Sequence, residues 1–237
     1  MNTTESAGSS GNLKKYSPVK SYVLRAGRMS DAQRRSYDTL SPRYCIPAPS
    51  QGGLDIQGIF GNGNPLCVEI GFGMGVATAQ IAADNPGINY LGIEVHRPGI
   101  GRLLWEIEQR NLGNIRILEY DAAEVLAGVI EDGSVTGFHV FFPDPWPKKR
   151  HHKRRLIKRP FTELLGKKLS PGGYVYMVTD WEDYARWALT ELEATPNLEN
   201  SYEGFAPHQE WRPETKFERK GIDKNHAVWE LMFRRRR

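Results

Sequence analysis

The chain has 237 residues, 39% of them hydrophobic and 25% charged, with a formal net charge of +4. That supports one soluble domain with a sizeable core, plus at most an arm. No apolar run is long enough to cross a bilayer, and the opening "MNTTESAGSSGNLKK" lacks the apolar stretch of a secretory signal. The two cysteines, Cys45 and Cys67, stand in unlike contexts, Cys67 in an apolar strand-like run. The expectation is a reduced, cytoplasmic protein without disulfides.

Residues 1 to about 20 are rich in Ser, Gly, Thr and Lys and read as disordered. Residues 21–50 read as an arm with one short helix, so the expected organisation is a flexible arm over 1–50 and a single domain over 51–237. From Leu66 onward short β-like runs alternate with helical patterns: "LCVEI", "YLGIEV", "IRILEY", "FHVFF" and "YVYMVTD". After the second run, Ile100, Leu103, Leu104 and Ile107 fall on one helix face. After the fifth, Trp181, Tyr184, Ala185, Ala188 and Leu192 do the same. Five strand–helix repeats imply a mostly parallel sheet covered on both faces. The final run "AVWELMF" has no helix after it and suits an antiparallel last strand.

In such sheets a ligand sits at the carboxyl ends of the strands, so the residues ending each strand are the candidates. The first strand ends in "EIGFGMG", with Glu69, Gly71, Gly73 and Gly75. A dinucleotide fingerprint needs a third glycine at position 76, which is Val here. A carboxylate beside the glycines suits a cationic or hydroxyl-bearing ligand; the plainer alternative is a strand-to-helix turn. Glu94 ends the second strand, as a ribose acceptor or a surface acid. Asp121 ends the third, as a helix cap or an acceptor for an adenine amino group.

The fourth strand runs into "FFPDPWPKKRHHKRR", with Asp144 between prolines. Prolines at 143, 145 and 147 limit the loop's freedom and hold the acid in place. Trp146 has two readings, stacking on a base or packing against the sheet edge. Residues 148–159 hold eight Lys or Arg and no acid, and the chain ends in "RRRR". Such runs suit a polyanion, although the terminal run reads first as a solubilising tail. His151 and His152 are adjacent, face apart on regular elements and lack partner ligands, so no metal is expected.

Together these residues resemble the S-adenosylmethionine site of Rossmann-like methyltransferases over roughly residues 65–233. "PDPWPKKRHHKRR", "TDW" at 179–181 and "TKFE" at 215–218 are similar to the bacterial tRNA (guanine-N7)-methyltransferase family. The resemblance implies a Rossmann-like, mostly parallel seven-stranded sheet with an antiparallel last strand. It implies methyl transfer from S-adenosylmethionine to N7 of a guanine in the variable loop of tRNA. Glu69, Gly71, Gly73, Glu94, Asp121 and Asp144 would hold the cofactor, Asp144 also taking part in catalysis. Lys148, Asp180, Thr215, Lys216, Phe217 and Glu218 would lie on the substrate side. Arg150, His151, His152, Lys153, Arg154 and Arg155 would face RNA. The implied partner is tRNA, with no membrane and no metal, acting as a monomer or homodimer. Rival expectations are an adenine-N6 amino-methyltransferase, disfavoured because Trp follows Pro145, a catalytically silent RNA-binding remnant, and a nicotinamide dehydrogenase, disfavoured by the glycine spacing.

Overall fold

The structure is a computed structural model that describes residues 20–22, 27–47, 52–214, 218 and 227–236. The expected disorder of residues 1–19 lies outside these. Seven strands form one sheet in the order β3-β2-β1-β4-β5-β7-β6. They are β1 Leu66–Ile70, β2 Asn89–Ile93, β3 Ile115–Leu118, β4 Val135–Phe141, β5 Leu169–Thr179, β6 Leu198–Asn200 and β7 Trp229–Arg235. The first five run parallel; β7 pairs antiparallel to β5, and β6 antiparallel to β7. The three-residue β6 is too short to show a period, so pattern alone does not reveal it.

Parallel pairing needs crossovers, and helices supply them. The crossovers are α3 Val76–Asp84, α4 Arg97–Arg110, α5 Ala122–Gly128, α6 Phe161–Lys168 and α7 Glu182–Glu193, while α1 Asp31–Tyr44 and α2 Ile56–Phe60 precede β1. Two apolar cores lie on opposite sides of the sheet. One joins Leu66, Val68 and Ile70 of β1 to α5, α6 and α7; the other joins Cys67 to α1, α3 and α4. The alternation along β1 is the two-residue strand period. It puts Glu69 on the same side as Cys67. Ile100, Leu103, Leu104 and Ile107 of α4 are wholly buried, each contributing roughly 1.5–3 kcal/mol by removal from water. The expected α7 face also holds, except for Trp181. That residue sits at the helix cap rather than inside the helix and is 41% exposed.

The arm expected over residues 1–50 is, over 31–46, part of the body. Ser30 and Gln33 form a reciprocal capping box at the start of α1. The helix lies against α4 at Gly101, where an added Cβ would stand 2.6 Å from the Gln33 carbonyl oxygen. Cys45 then bridges Ile117 on the outer strand, and the Ile46 N–H donates to the Ile117 carbonyl at 2.8 Å. Both cysteines are free. Among the described residues no helix is long and apolar enough to cross a membrane.

Candidate active site

The turn after β1 is built by glycine. Gly71, Gly73 and Gly75 have φ of 73°, 57° and 67°, in the left-handed region that other residues avoid. Gly99 of α4 presses against its back, where an added Cβ would come within 1.9 Å of the Gly73 carbonyl oxygen. On the front, a Cβ at Gly71 or Gly73 would meet nothing within 4 Å. The backbone is therefore bare towards open space, and α3 starts at Gly75 without a capping side chain.

Two acids frame this turn. Glu94, at the end of β2, accepts the Gly73 N–H on Oε2 at 2.9 Å, and the Val95 and His96 N–H groups on Oε1 at 2.7 and 3.0 Å. It clasps the glycine turn to the next strand. Glu69 is 3% exposed, and its Oε2 has no hydrogen-bond partner among the described residues. Burial pushes its carboxyl up to about 8; Thr78 works against the rise and the charge of Glu94 adds to it. A buried acid with an unused oxygen beside bare backbone is a socket for a positively charged ligand.

Two clefts open along the strand ends and share Gly71 and Phe142. The smaller, about 240 Å³, is lined by Ser21, Tyr22, Glu94, Tyr120 and Asp144 among others. The larger, about 820 Å³, is lined by Glu69, Gly73, Arg102, Pro213 and Glu214 among others. Asp121 caps α5, its Oδ1 accepting from Ala123 and Glu124 N–H at 2.8 and 3.4 Å. Its Oδ2 takes no part in the cap, and its neighbours Tyr120 and Ala122 line the small cleft.

The loop after β4 holds Asp144 on the cleft wall, exposed to solvent. Phe142 and Trp146 flank it with φ of 49° and 47°. Each left-handed non-glycine residue costs on the order of 1–3 kcal/mol and persists only where its surroundings enforce it. The enforcing contacts are visible. Phe142 N–H donates to the Val178 carbonyl at 2.8 Å, and Trp146 Nε1 donates to the Ser21 carbonyl at 3.0 Å. Trp146 thus ties the loop to the N-terminal segment, with the Arg154 guanidinium 5.1 Å from its ring. Neither of its two expected roles describes that contact.

The basic run coils into a 3-10 helix, Lys149–Arg154. Lys148, Arg150 and Lys153 are exposed, His151 and Arg154 half-buried. His152 is half-buried against Trp187, its Nε2 4.0 Å from Asp183. Arg155 departs from the expected RNA-facing set. It is 1% exposed, donates from Nε to the Pro145 carbonyl at 3.0 Å, pairs with Asp183 and lies against the Tyr184 and Trp187 rings. It braces the Asp144 loop through the Pro145 carbonyl. Among the described residues no three His, Cys, Asp or Glu side chains converge as a metal site.

On the expected substrate side, Asp180 directly follows β5 and is half-buried. Thr215, Lys216 and Phe217 lie outside the described residues. Glu218 is buried and paired with Arg212. Reading the strand ends alone misses Tyr120, Phe142 and the Ser21–Tyr22 pair as cleft walls. Phe142 adjoins the end of β4 and Tyr120 lies two residues past the end of β3, so the strand-end rule widened by two residues would find them. Nothing local in the sequence marks Ser21 or Tyr22.

A family model described as "Putative methyltransferase" matches residues 63–231. The tRNA (guanine-N(7)-)-methyltransferase of Thiobacillus denitrificans is 49% identical over 218 residues, 92% of this chain and 96% of that protein. The enzyme of the same name from Ralstonia pickettii is 49% identical over 236 residues, 99% of this chain and 91% of the other. The chain belongs to the tRNA (guanine-N(7)-)-methyltransferase family. Among solved structures, the 16S rRNA methyltransferase KamB has a TM-score of 0.54 at 12% identity, covering 90% of this chain and 97% of that one. The 16S rRNA (adenine(1408)-N(1))-methyltransferase from Catenulisporales acidiphilia, a point mutant solved with cosubstrate SAM, has a TM-score of 0.51 at 12% identity, covering 75% and 88%. These likenesses establish the methyltransferase-type fold.

Proposed function

We propose that this protein transfers a methyl group from S-adenosylmethionine to N7 of a guanine in tRNA. The carrying observation is that the match to relatives of that name, along nearly the whole chain, includes the strand-end trough around Glu69, Glu94 and Asp144. The region of tRNA proposed, by family resemblance, is the variable loop, and the proposed setting is the cytoplasm.

The residues fit the group. Glu69 Oε2 is a buried acceptor without a partner among the described residues, and the backbone at Gly71 and Gly73 is open. When bound, S-adenosylmethionine supplies a methyl group made electrophilic by its sulfonium charge. Glu69 would face the cationic end of the ligand and Glu94 its ribose, Glu94 Oε2 keeping one lone pair beyond its single backbone bond while Oε1 is filled by two. Asp121 Oδ2 and Tyr120 would border the adenine.

Guanine N7 has an exposed lone pair and no proton, so its methylation needs no obligatory general base. The remaining work is positioning and electrostatics. Asp144 and Asp180 can accept from guanine N1–H and its exocyclic amine, and a carboxylate nearby stabilises the cationic product ring. The loop around Asp144 is held by Phe142, Trp146 and Arg155, so the acid meets the base with little reorganisation. Lys148, Arg150, Lys153 and Arg154 would bind the RNA backbone, giving affinity and register rather than sequence readout.

The test is methyl transfer to bulk unmodified tRNA followed by nucleoside mass spectrometry. The expected product is 7-methylguanosine. N6-methyladenosine, or no product in the presence of bound cofactor, would overturn the assignment.

A further inference from the structure

The segment between β6 and β7 carries a buried ion cluster apart from the cleft acids. Arg212 is 2% exposed. Its Nη1 donates to Glu218 Oε2 at 2.7 Å, and its Nη2 lies 2.7 Å from Glu218 Oε1, a two-pronged fork. Nη2 also donates to Glu230 Oε1 at 2.8 Å, and Nε to the Tyr176 hydroxyl at 3.2 Å. Glu230 of β7 in turn accepts from the Tyr176 hydroxyl and from the Gln209 N–H at 3.2 Å, with His208 Nδ1 2.9 Å away.

The neighbouring residues convert this cluster into a clamp. Trp211 lies against the sheet, its ring centroid 5.1 Å from those of His139 on β4 and Tyr176 on β5. Immediately after Arg212, Pro213 and Glu214 form part of the larger cleft's wall. Arg212 therefore links the cleft-wall residue Glu214, two peptide bonds away, to the buried ion pair with Glu218. A buried cluster of this kind is a weak source of net stability compared with apolar packing. It nevertheless penalises other arrangements, because each would strand an unpaired ion.

We infer that Arg212 is a positioning residue for the target-base side of the cleft, and that Glu218 acts through Arg212 rather than directly on the base. This rests on the reading of the strand-end trough, of which the larger cleft is one part, as the place where the tRNA guanine is methylated. The fork occupies both Glu218 oxygens, and the pair is sealed from solvent.

The experiment is a double-mutant cycle of Arg212→Lys, Glu218→Gln and both together. It measures kcat and KM for tRNA, cofactor Kd by calorimetry, and Tm. If Glu218 works through Arg212, each single variant raises KM for tRNA by about tenfold while the double is within about twofold of the worse single, since coupled partners are non-additive. Cofactor Kd should stay within about twofold of wild type in all three. Losses that multiply in the double variant would mean that Glu218 meets the substrate independently, overturning the inference. A lowered Tm with unchanged KM would reduce the clamp to a structural role and overturn it as well.

Glu218→Gln keeps its shape and alone suffices if Arg212→Lys does not fold. Hydrogen exchange of residues 208–214 should then accelerate together with the rise in KM; a raised KM with unchanged exchange refutes the clamp. A wild-type protein that leaves tRNA without 7-methylguanosine overturns the functional reading and this inference together. A methylating wild type with multiplicative variants overturns the inference alone.

Discussion

At the scale of single residues, the site depends on where charge is held. Asp144→Asn keeps the shape and one acceptor oxygen but removes the charge. If that charge stabilises a cationic product ring, turnover should fall by about 10- to 1,000-fold, on the order of 1.4–4 kcal/mol, with smaller changes in cofactor and tRNA binding. An Asn variant that makes 7-methylguanosine at the wild-type rate would leave the charge argument wrong. Glu69 adds a pH dependence. Burial raises its folded carboxyl from the ordinary 4.5 to about 8. Its contribution to stability is thus fully present below pH 4.5 and is lost as pH rises towards 8, because the unfolded chain releases the proton that the fold retains. Glu69→Gln should therefore raise the Tm of the ligand-free protein at about pH 8–9 relative to wild type, and much less at about pH 5. Cofactor affinity should rise between about pH 6 and 8 in wild type and be flat in the Gln variant. Calorimetry across that range checks both outcomes.

At the scale of elements, the short basic helix and the arginine behind it part company. Replacing Arg150, Lys153 and Arg154 by Ala should weaken tRNA binding with cofactor binding intact. The slope of log K against log salt should shrink by about 0.7–0.9 for each phosphate no longer neutralised. An unchanged slope would make the 3-10 helix a solvated face. Arg155→Ala should behave differently, because its guanidinium is spent on Pro145, Asp183 and two rings. Losing that packing and the buried hydrogen bond should cost about 2–4 kcal/mol. The corresponding Tm fall is roughly 4–16 °C. A variant with wild-type Tm and a reduced salt slope would return Arg155 to the RNA-facing set.

At the scale of the whole molecule, the cleft is assembled from elements far apart in the chain, so its ligand should report on the entire fold. A ligand at about a hundred times its Kd stabilises by about 2.7 kcal/mol. For a chain of this size that is a Tm rise of roughly 5–11 °C. Glu94 holds the glycine turn against β2 through three backbone N–H groups. Glu94→Ala should raise the cofactor Kd by about tenfold or more, leaving about 1.4 kcal/mol of stabilisation or less at the same cofactor concentration. A thermal-shift titration measures this directly, and an undiminished shift would remove Glu94 from the site.

The sequence by itself determined the parallel sheet, the buried face of α4 and the strand-end acids. Each is written in local period and in residue type at a position the topology makes predictable. Glu69, Glu94 and Asp144 reach the cleft because a strand end is both a sequence feature and a place in space. What only the tertiary structure decided concerns side chains whose meaning lies in a distant partner. Within one basic run, Lys153 is exposed while Arg155 is sealed. No local pattern separates them, because Asp183, Tyr184 and Trp187 arrive from another helix. Trp146 meets Ser21 across 125 positions, and Arg212 and Glu230 meet across a strand boundary. The arm read as flexible over 1–50 contains α1, whose capping box is legible in the sequence but whose docking on α4 depends on a distant glycine, Gly101. Period and strand ends are local properties of the chain; burial, pairing and the choice between a phosphate ligand and a structural brace are set by contacts that exist only once it has folded.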